Sequence, residues 1–411
     1  MSKGGRYVLP KVTSMTSLRS SALRIACTLA AVLMLAGSTM GVNAAEPFDI
    51  DVILSLTGPF AFLGNSEAAS LKALAPLINK AGGINGQPVH FVVHDDQTQP
   101  ATAVQLASAI IARKPAVMIG PASLASCLAV APLVRAAGPV MYCLAPTIHP
   151  APGSYVFSSG ASSYDQYVDL FTFAAAKGWK RIAFIGTADA TGQDNEAQVK
   201  DVLSSGRFPT IGIVTFEHFN GNDISVGAQM ANIKAAAPDA ILAGTVGTSV
   251  GTLFRGVKDA GLDGIPMLTN PGNLSHAALA QYASFLPADL YFIAQRYIAR
   301  DVSGKGPVRD AQLDFYGSLA AQGIDPDSGH NLVWDPALIT VAALRHVGVN
   351  ATAATLHDEL ETFHGVAGTN GIYDFRAGDQ RGVGLNSLVI AKWIPVKKTW
   401  ATVSHPGGKP L

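Results

Sequence analysis

Charge, cysteine and long apolar runs are all scarce in this chain, and each scarcity excludes something. Charged residues make up 14% of the 411 positions, against 48% apolar residues. That balance excludes a disordered chain and calls for extensive buried sheet and helix. The 29 basic residues equal the 29 acidic ones, so there is no electrostatic footprint for nucleic acid or an anionic lipid surface. No segment beyond the amino-terminal leader is long and apolar enough to span a bilayer. There is no G-x-G-x-x-G after the first apolar strand and no Walker loop, which leaves nucleotide and dinucleotide binding unsupported. The ten histidines are scattered. His90 and His94 share a strand face but lack a third ligand, so no metal is expected.

What is present begins with an address. Lys3, Arg6, Lys11, Arg19 and Arg24 precede the apolar run Ile25 to Gly37, which is shorter than the ~20 residues a membrane helix needs. Val42-Asn43-Ala44 fits an A-x-A-like cleavage signal. Residues 1–44 therefore read as a secretory signal peptide, cleaved near Ala44-Ala45, and the mature chain is expected in the periplasm. Cys27 lies inside the apolar run in a poor lipobox, so no lipid anchor and no direct membrane insertion are expected. Removing the five cations leaves 24 basic against 29 acidic residues, a mature charge of −5. Cys127 and Cys143 survive processing. In an oxidising compartment such a pair can bridge, but geometry decides. Two buried thiols is the favoured reading and a Cys127–Cys143 bridge the alternative.

About 365 residues remain, more than one ordinary core holds, so two domains are expected. Ile50, Val52, Ile53 and Leu54 form an apolar, β-branched run that reads as a buried parallel strand. Thr57-Gly58-Pro59 breaks it. Asn65 or Ser66 then caps a helix with Leu71, Leu74, Leu77 and Ile78 at helical spacing, and Ala81-Gly82-Gly83 stops it. A second strand, Val89 to Val93, ends in Asp95-Asp96. The β-α rhythm continues through strands at Val117 and Val140, and Ser158 to Ser163 reads as a crossover with hinge-like composition. It then restarts, with strands at Arg181, Ile211, Ala240 and Pro266. Helices are expected at Pro336–His346 and Ala353–Phe363. The last elements predict a hairpin between 371–375 and 386–393, with Gly378 to Gly382 as a solvent loop.

The stretches S-L-T-G-P-F-A-F-L-G from Ser55, I-N-K-A-G-G-I-N-G from Ile78 and D-D after the second strand, with the apolar strand into Gly120, resemble the type I periplasmic binding proteins. The likeness is to the receptors of branched-chain amino-acid transporters, the leucine-binding-protein-like family. "FAFLG" and "MYCLAPTIHP" also resemble members that take aromatic acids. The resemblance implies an α/β fold of two doubly wound, Rossmann-like lobes joined by a three-strand hinge. Its lobes would comprise residues 45–160 plus 295–368 and residues 161–294 plus 369–411. It further implies a monomer without cofactor that binds a small carboxylate, closes on it, and delivers it to the membrane permease of an ABC importer. The same fold also serves ligand-sensing receptors with regulatory partners, and that alternative stays open. The bridge that related receptors carry between the loops after strands two and three is not expected, because Gln97-Thr98 and Ser123 hold those places.

A ligand between lobes is met by loops at the carboxyl ends of the strands. By the resemblance, Ser123, Ala145 and Thr147 fall where the family grips the ligand carboxylate with hydroxyls and backbone N–H groups near a helix start. Those hydroxyls could equally serve only as helix caps. Phe60 adds apolar surface to the first loop, and Thr248 lies on the corresponding loop of the second lobe. Departures from the family pattern carry information. Leu63 replaces a tyrosine, Thr191 and Val246 replace aromatics, and Asn270-Pro271-Gly272 stands where a glutamate pairs with the ligand ammonium. A buried ammonium without that partner is costly. The expected ligand is therefore an aromatic or apolar organic acid. A branched-chain amino acid, with Asp189 or Asp194 supplying the charge, is the alternative.

Gly247-Thr248-Ser249-Val250-Gly251 also matches G-x-S-x-G, the nucleophile elbow of a secreted serine hydrolase. Asp289, Asp301, His330 and His346 could complete such a triad. Against it, Thr245-Val246 separates strand from motif and no HGGG-like oxyanion loop occurs, so the chain is read as a binding protein and not an enzyme.

Overall fold

The computed structural model describes residues 46–411 except 302; the signal-peptide reading lies outside the described residues. The alternation of apolar strands and helices produces an α/β fold in two layered halves. The first half is a five-stranded parallel sheet in the order β2-β1-β3-β4-β5. Its strands are β1 (Phe48–Leu54), β2 (Val89–Asp95), β3 (Val117–Ile119), β4 (Val140–Cys143) and β5 (Val156–Ser158). Successive side chains of a strand point to opposite faces. Ile50, Val52 and Leu54 of β1 accordingly join a core with Leu71, Leu74 and Ile78 of α1 (Ala61–Lys80). Ile53 faces the other way, onto Ala103, Ala107 and Ile110 of α2 (Pro100–Ala112) and Val130 of α3 (Leu124–Val134).

The second half repeats the plan. Strands β6 (Arg181–Thr187), β7 (Gly212–Phe219), β8 (Ala240–Gly244), β9 (Met267–Thr269) and β10 (Leu290–Gln295) run parallel, and β13 (Leu388–Ile394) and β14 (Thr399–Thr402) close one edge antiparallel. Ile182 and Phe184 face α4 (Ser163–Lys177) and α5 (Ala190–Ser204). Ala183 and Ile185 face α6 (Gly227–Ala236) and α7 (Ser249–Asp259).

Several helices start earlier than the apolar periodicity predicts. Helix α1 begins at Ala61 and not at Asn65, whose Nδ2 instead bonds the carbonyls of Leu56 and Ala61 at 3.0 and 2.6 Å. A Cβ at Gly64 would collide with the Ser55 carbonyl, so glycine there lets the helix begin directly against the strand end. Helix α5 begins at Ala190, five residues before the expected Asn195, because Asp189 Oδ1 accepts from Gly192 N at 3.0 Å. After α8 (His276–Gln281) and α9 (Pro307–Ala320), helix α10 (Ser328–Val347) begins eight residues before Pro336, from a capping box of Asp327 and His330. Such caps satisfy backbone donors that have no intrahelical acceptor.

The carboxyl-terminal hairpin also differs from expectation. After α11 (Ala353–Thr362), β11 (His364–Ala367) pairs with β12 (Ile372–Asp374). Strand β13 pairs with β10 and β14, so 371–375 and 386–393 do not form one hairpin. The cause is a buried carboxylate. Asp335 of α10 accepts from Thr369 N (2.9 Å), Thr369 Oγ1 (3.0 Å), Asn370 N (3.3 Å), Asn370 Nδ2 (3.2 Å) and Tyr373 OH (2.8 Å). That folds 369–373 back onto the first half, where Tyr373 and Phe375 join its core. The passage to the second half therefore comes after Phe375, not at the expected 368/369 boundary.

Cys127 and Cys143 form a disulfide, with Cα atoms 6.0 Å apart, and not the two free thiols favoured from sequence. The first turn of α3 packs against the carboxyl end of β4, which brings the two side chains together. No helix among the described residues is long and apolar enough to cross a membrane.

The bridge closes a loop of sequence separation 16, for which chain entropy gives about 3 kcal/mol. The double variant Cys127→Ala/Cys143→Ala is expected to lose about that much stability in urea unfolding. Glu67 is fully buried with neither carboxyl oxygen partnered, and burial, then repulsion from Asp96 and Asp327, push its carboxyl well above the usual range. The folded state thus holds a proton that the unfolded chain releases above the ordinary value of 4.5. This contribution is present below that pH and is lost as pH rises through the folded value. Glu67→Gln, which cannot ionise in either state, should match the parent near pH 4 and exceed it in stability at pH 8.

Candidate functional site

The carboxyl edges of the two sheets face each other across a cleft. A cavity of about 480 Å³, its mouth included, lies at the bottom. Its walls come from the start of α1 (Phe60, its N-cap residue, and Leu63), the start of α3 (Ala122, Leu124), the loop after β4 (Leu144 to Thr147) and Leu332 of α10. The second half supplies Gln166, Thr191, Val246 and Asn270 to Gly272. Of the residues singled out in the sequence, Phe60, Leu63, Ala145, Thr147, Thr191 and Asn270 meet here. Leu63, Ala145 and Asn270 are buried.

Ser123 and Thr248 do not reach this cavity. They line an adjoining, more polar cleft with Thr98, Asp189, Asn220 and Ser249. Ser123 caps α3, its hydroxyl accepting from Ser126 N at 3.2 Å. Thr248 is exposed on the rim.

The early helix starts decide what the walls offer. Thr191 and Leu124 sit in first helical turns, not in loops. The first backbone N–H groups of a helix lack intrahelical acceptors and carry the positive end of its dipole. Helix α3 thus aims donors on Leu124 and Ala125 at the cleft, and Thr147 adds a hydroxyl from the facing loop. No residue lining the inner cavity is charged. The Asn270 carboxamide is 3% exposed and its Oδ1 has no partner within the protein. Asp189 serves as the cap of α5, accepting also from Thr187 Oγ1 at 2.9 Å. Asp194 reaches across to the first half, 2.5 Å from His149 Nε2. Neither carboxylate lines the inner cavity.

The elbow motif does not assemble a triad. Ser249 Oγ lies 2.7 Å from Thr245 Oγ1 and 3.4 Å from Val246 O. His330 engages Asp327, His346 engages Glu359, and Asp289 pairs with Lys392. The hydroxyl therefore serves to fold the turn that opens α7. Nor do His90 and His94 converge: they pair separately with Asp49 and Asp51. Among the described residues no group of three or more His, Cys, Asp or Glu could hold a metal.

Sequence reasoning missed Arg381, which it placed in a solvent loop. The side chain is 5% exposed and Gln380 1%. Arg381 Nη1 lies 2.9 Å from Pro146 O, Ser158 Oγ and Gly160 O, and Nη2 contacts Ile148 O. It therefore supports, from behind, the loop that carries Ala145 and Thr147. A signal in the sequence was a lone arginine in a turn bounded by Gly378 and Gly382, both of which take positive φ.

The model of a family described as "Periplasmic binding protein" matches residues 47–395. A leucine-, isoleucine-, valine-, threonine- and alanine-binding protein of Pseudomonas aeruginosa is 26% identical over 239 residues, 57% of this chain and 63% of that protein. The matched segment thus spans less than two thirds of that relative's length. The Leu/Ile/Val-binding protein of Escherichia coli is 23% identical, covering 62% of this chain and 69% of its own. Among solved structures, an extracellular ligand-binding receptor of Rhodopseudomonas palustris superposes with a TM-score of 0.76 at 18% identity, over 88% of this chain and 100% of that one. A solute-binding protein of an ABC transporter from the same organism, in complex with benzoate, gives 0.73 at 18% identity over 89% and 98%. Those likenesses concern the fold. The family match covers most of the sequence, and with the two-lobed cleft it leads to one statement of kinship: this chain belongs to the periplasmic binding protein family.

Proposed function

We propose that the protein is the solute-binding component of an ABC importer, working in the periplasm, and that it encloses a small carboxylate with an apolar or aromatic body. The observation that carries this reading is the inner cavity: apolar walls, no charged lining residue, and the N-terminus of α3 facing Thr147. An ammonium would find no carboxylate on those walls, and leaving it unpaired is expensive. A carboxylate can instead take backbone N–H groups and a hydroxyl, which suit an anion without a full counter-charge. The buried Asn270 Oδ1 then calls for a neutral hydrogen-bond donor on the opposite end of the ligand. The structural neighbour crystallised with benzoate supports this class; the amino-acid-binding relatives support the alternative. Binding between two halves lets the ligand shift an open–closed equilibrium, which is how a permease would tell loaded from empty.

A thermal-shift screen of the protein against amino acids, aliphatic acids and aromatic acids tests the reading, because ligand raises the melting temperature by mass action. Aromatic or apolar acids are expected to shift it while leucine and valine do not. A shift with leucine or valine alone would replace the acid reading by an amino-acid one. With an acid that binds, Thr147→Val should weaken affinity roughly tenfold to a hundredfold, as loss of a hydrogen bond to a charged group does, while the melting temperature of the free protein stays close to the parent's. Unchanged affinity would remove Thr147 from the site.

A further inference from the structure

Arg381 is a buried cation whose contacts are all with neutral oxygens: Pro146 O, Ser158 Oγ, Gly160 O and Ile148 O. Three acids lie in its field, Asp379, Asp165 and Asp194, and each is engaged elsewhere. Asp379 accepts from the backbone N–H groups of Arg381 and Gly382, Asp165 from Ser162, and Asp194 contacts His149. Burial draws the guanidinium down to about 10, so it is charged at neutral pH. A charge held this way, without a direct ionic partner, projects its field through whatever dipoles it orders.

Those dipoles belong to the loop that walls the cavity. In a trans peptide the carbonyl and the N–H point in opposite directions. Arg381 draws the Pro146 carbonyl toward itself, and so turns the N–H of Thr147, on the same peptide, away from it. Thr147, Pro146 and Ala145 line the inner cavity, and Arg381 does not. The Thr147 N–H has no acceptor within the described residues.

On this geometry, and resting on the carboxylate reading above, we propose that Arg381 is the positioning residue that gives the site its preference for an anion, acting through the Pro146–Thr147 peptide. It stays out of contact with the ligand. Its fork orients the donor, and its charge, relayed through the polarised peptide, offsets that of the bound carboxylate. A cavity with no charged lining residue is thereby selective for an anion over a neutral isostere.

The alternative role for Arg381 is purely structural, as a tie between Ser158–Gly160, the 146–148 loop and the last passage between halves. The two are separated by comparing benzoate with benzamide, which share a ring and differ in charge; if another acid binds better in the screen, that acid and its primary amide replace them. In calorimetric titrations, Arg381→Met should lower benzoate affinity roughly tenfold to a hundredfold and change benzamide affinity less than about threefold, so that the acid-to-amide ratio collapses. Equal losses for both probes, or an unchanged ratio, would overturn the inference.

Should Arg381→Met fail to fold, Arg381→Lys provides an independent test. A buried lysine gives up its proton more readily than arginine. The acid-to-amide ratio of Arg381→Lys should therefore fall between pH 7 and 8.5 while that of the parent stays level. A level ratio in the lysine variant would count against the field of residue 381. Failure of the parent itself to bind any carboxylate would instead bring down the underlying ligand reading, an outcome distinct from either of these.

Discussion

One buried carboxylate organises how the chain moves between its halves. Asp335 collects donors from Thr369, Asn370 and Tyr373. Asn370 in turn accepts from Tyr297 N and donates to Asn331. Gln312 bonds both Thr369 O and Arg296 O. The segment returning from β10 and the segment preceding the last passage are thus fixed to one another in the first half. Burial raises the Asp335 carboxyl while its donors oppose the rise. Such a network rigidifies when every member is satisfied and is costly when one is lost. Any closing motion must then be taken up beyond it, at Ser159–Ser162, around Gln295 and between Val383, which still packs on the first core, and Leu385, which packs on the second.

That arrangement explains which parts of the molecule were legible in the sequence. Buried parallel strands declare themselves as β-branched apolar runs, and the loops after them fall at the ligand end by topology alone. Topology placed the loops of Phe60, Leu63, Ala145, Thr147, Thr191 and Asn270 at one edge, and the family resemblance singled out most of these residues within them. Helix starts were less visible because they depend on close approach and capping. Gly64 against the Ser55 carbonyl and Asp189 over Gly192 N extend α1 and α5 toward the cleft without any apolar periodicity to announce it. The pairing of β11 with β12 was hidden for a related reason: Asp335 lies 34 residues before Thr369, and no local pattern records that meeting.

Arg381 and Ser123 show the same limit from opposite sides. A charged residue between glycines reads as exposed, yet the carbonyls of Pro146, Gly160 and Ile148 converge on Arg381 from far upstream. Ser123 reads as a ligand contact by family pattern, yet its hydroxyl is occupied by Ser126 N and its side chain faces the outer cleft. In both cases the deciding factor is which partner satisfies the polar group, and that is a tertiary property. The Cys127–Cys143 bridge belongs here too, since only the packing of α3 on β4 brings the two sulfurs together.

The neutrality of the inner cavity has a consequence for selectivity. A lining carboxylate would attract an ammonium group and repel an acid, so it would fix one ligand class and exclude the other. With Asn270 in that place the second half offers a carboxamide, able to donate or accept but carrying no charge. On the proposed carboxylate reading, discrimination comes from the first half, where α3 and the 145–147 loop supply N–H groups. Such preorganised dipoles need little reorganisation when an anion arrives, and they act most strongly in a site from which water is excluded. Closure between the halves would remove that water. The anion would then be held most tightly in the closed form, which is the differential affinity a ligand needs in order to shift the open–closed equilibrium.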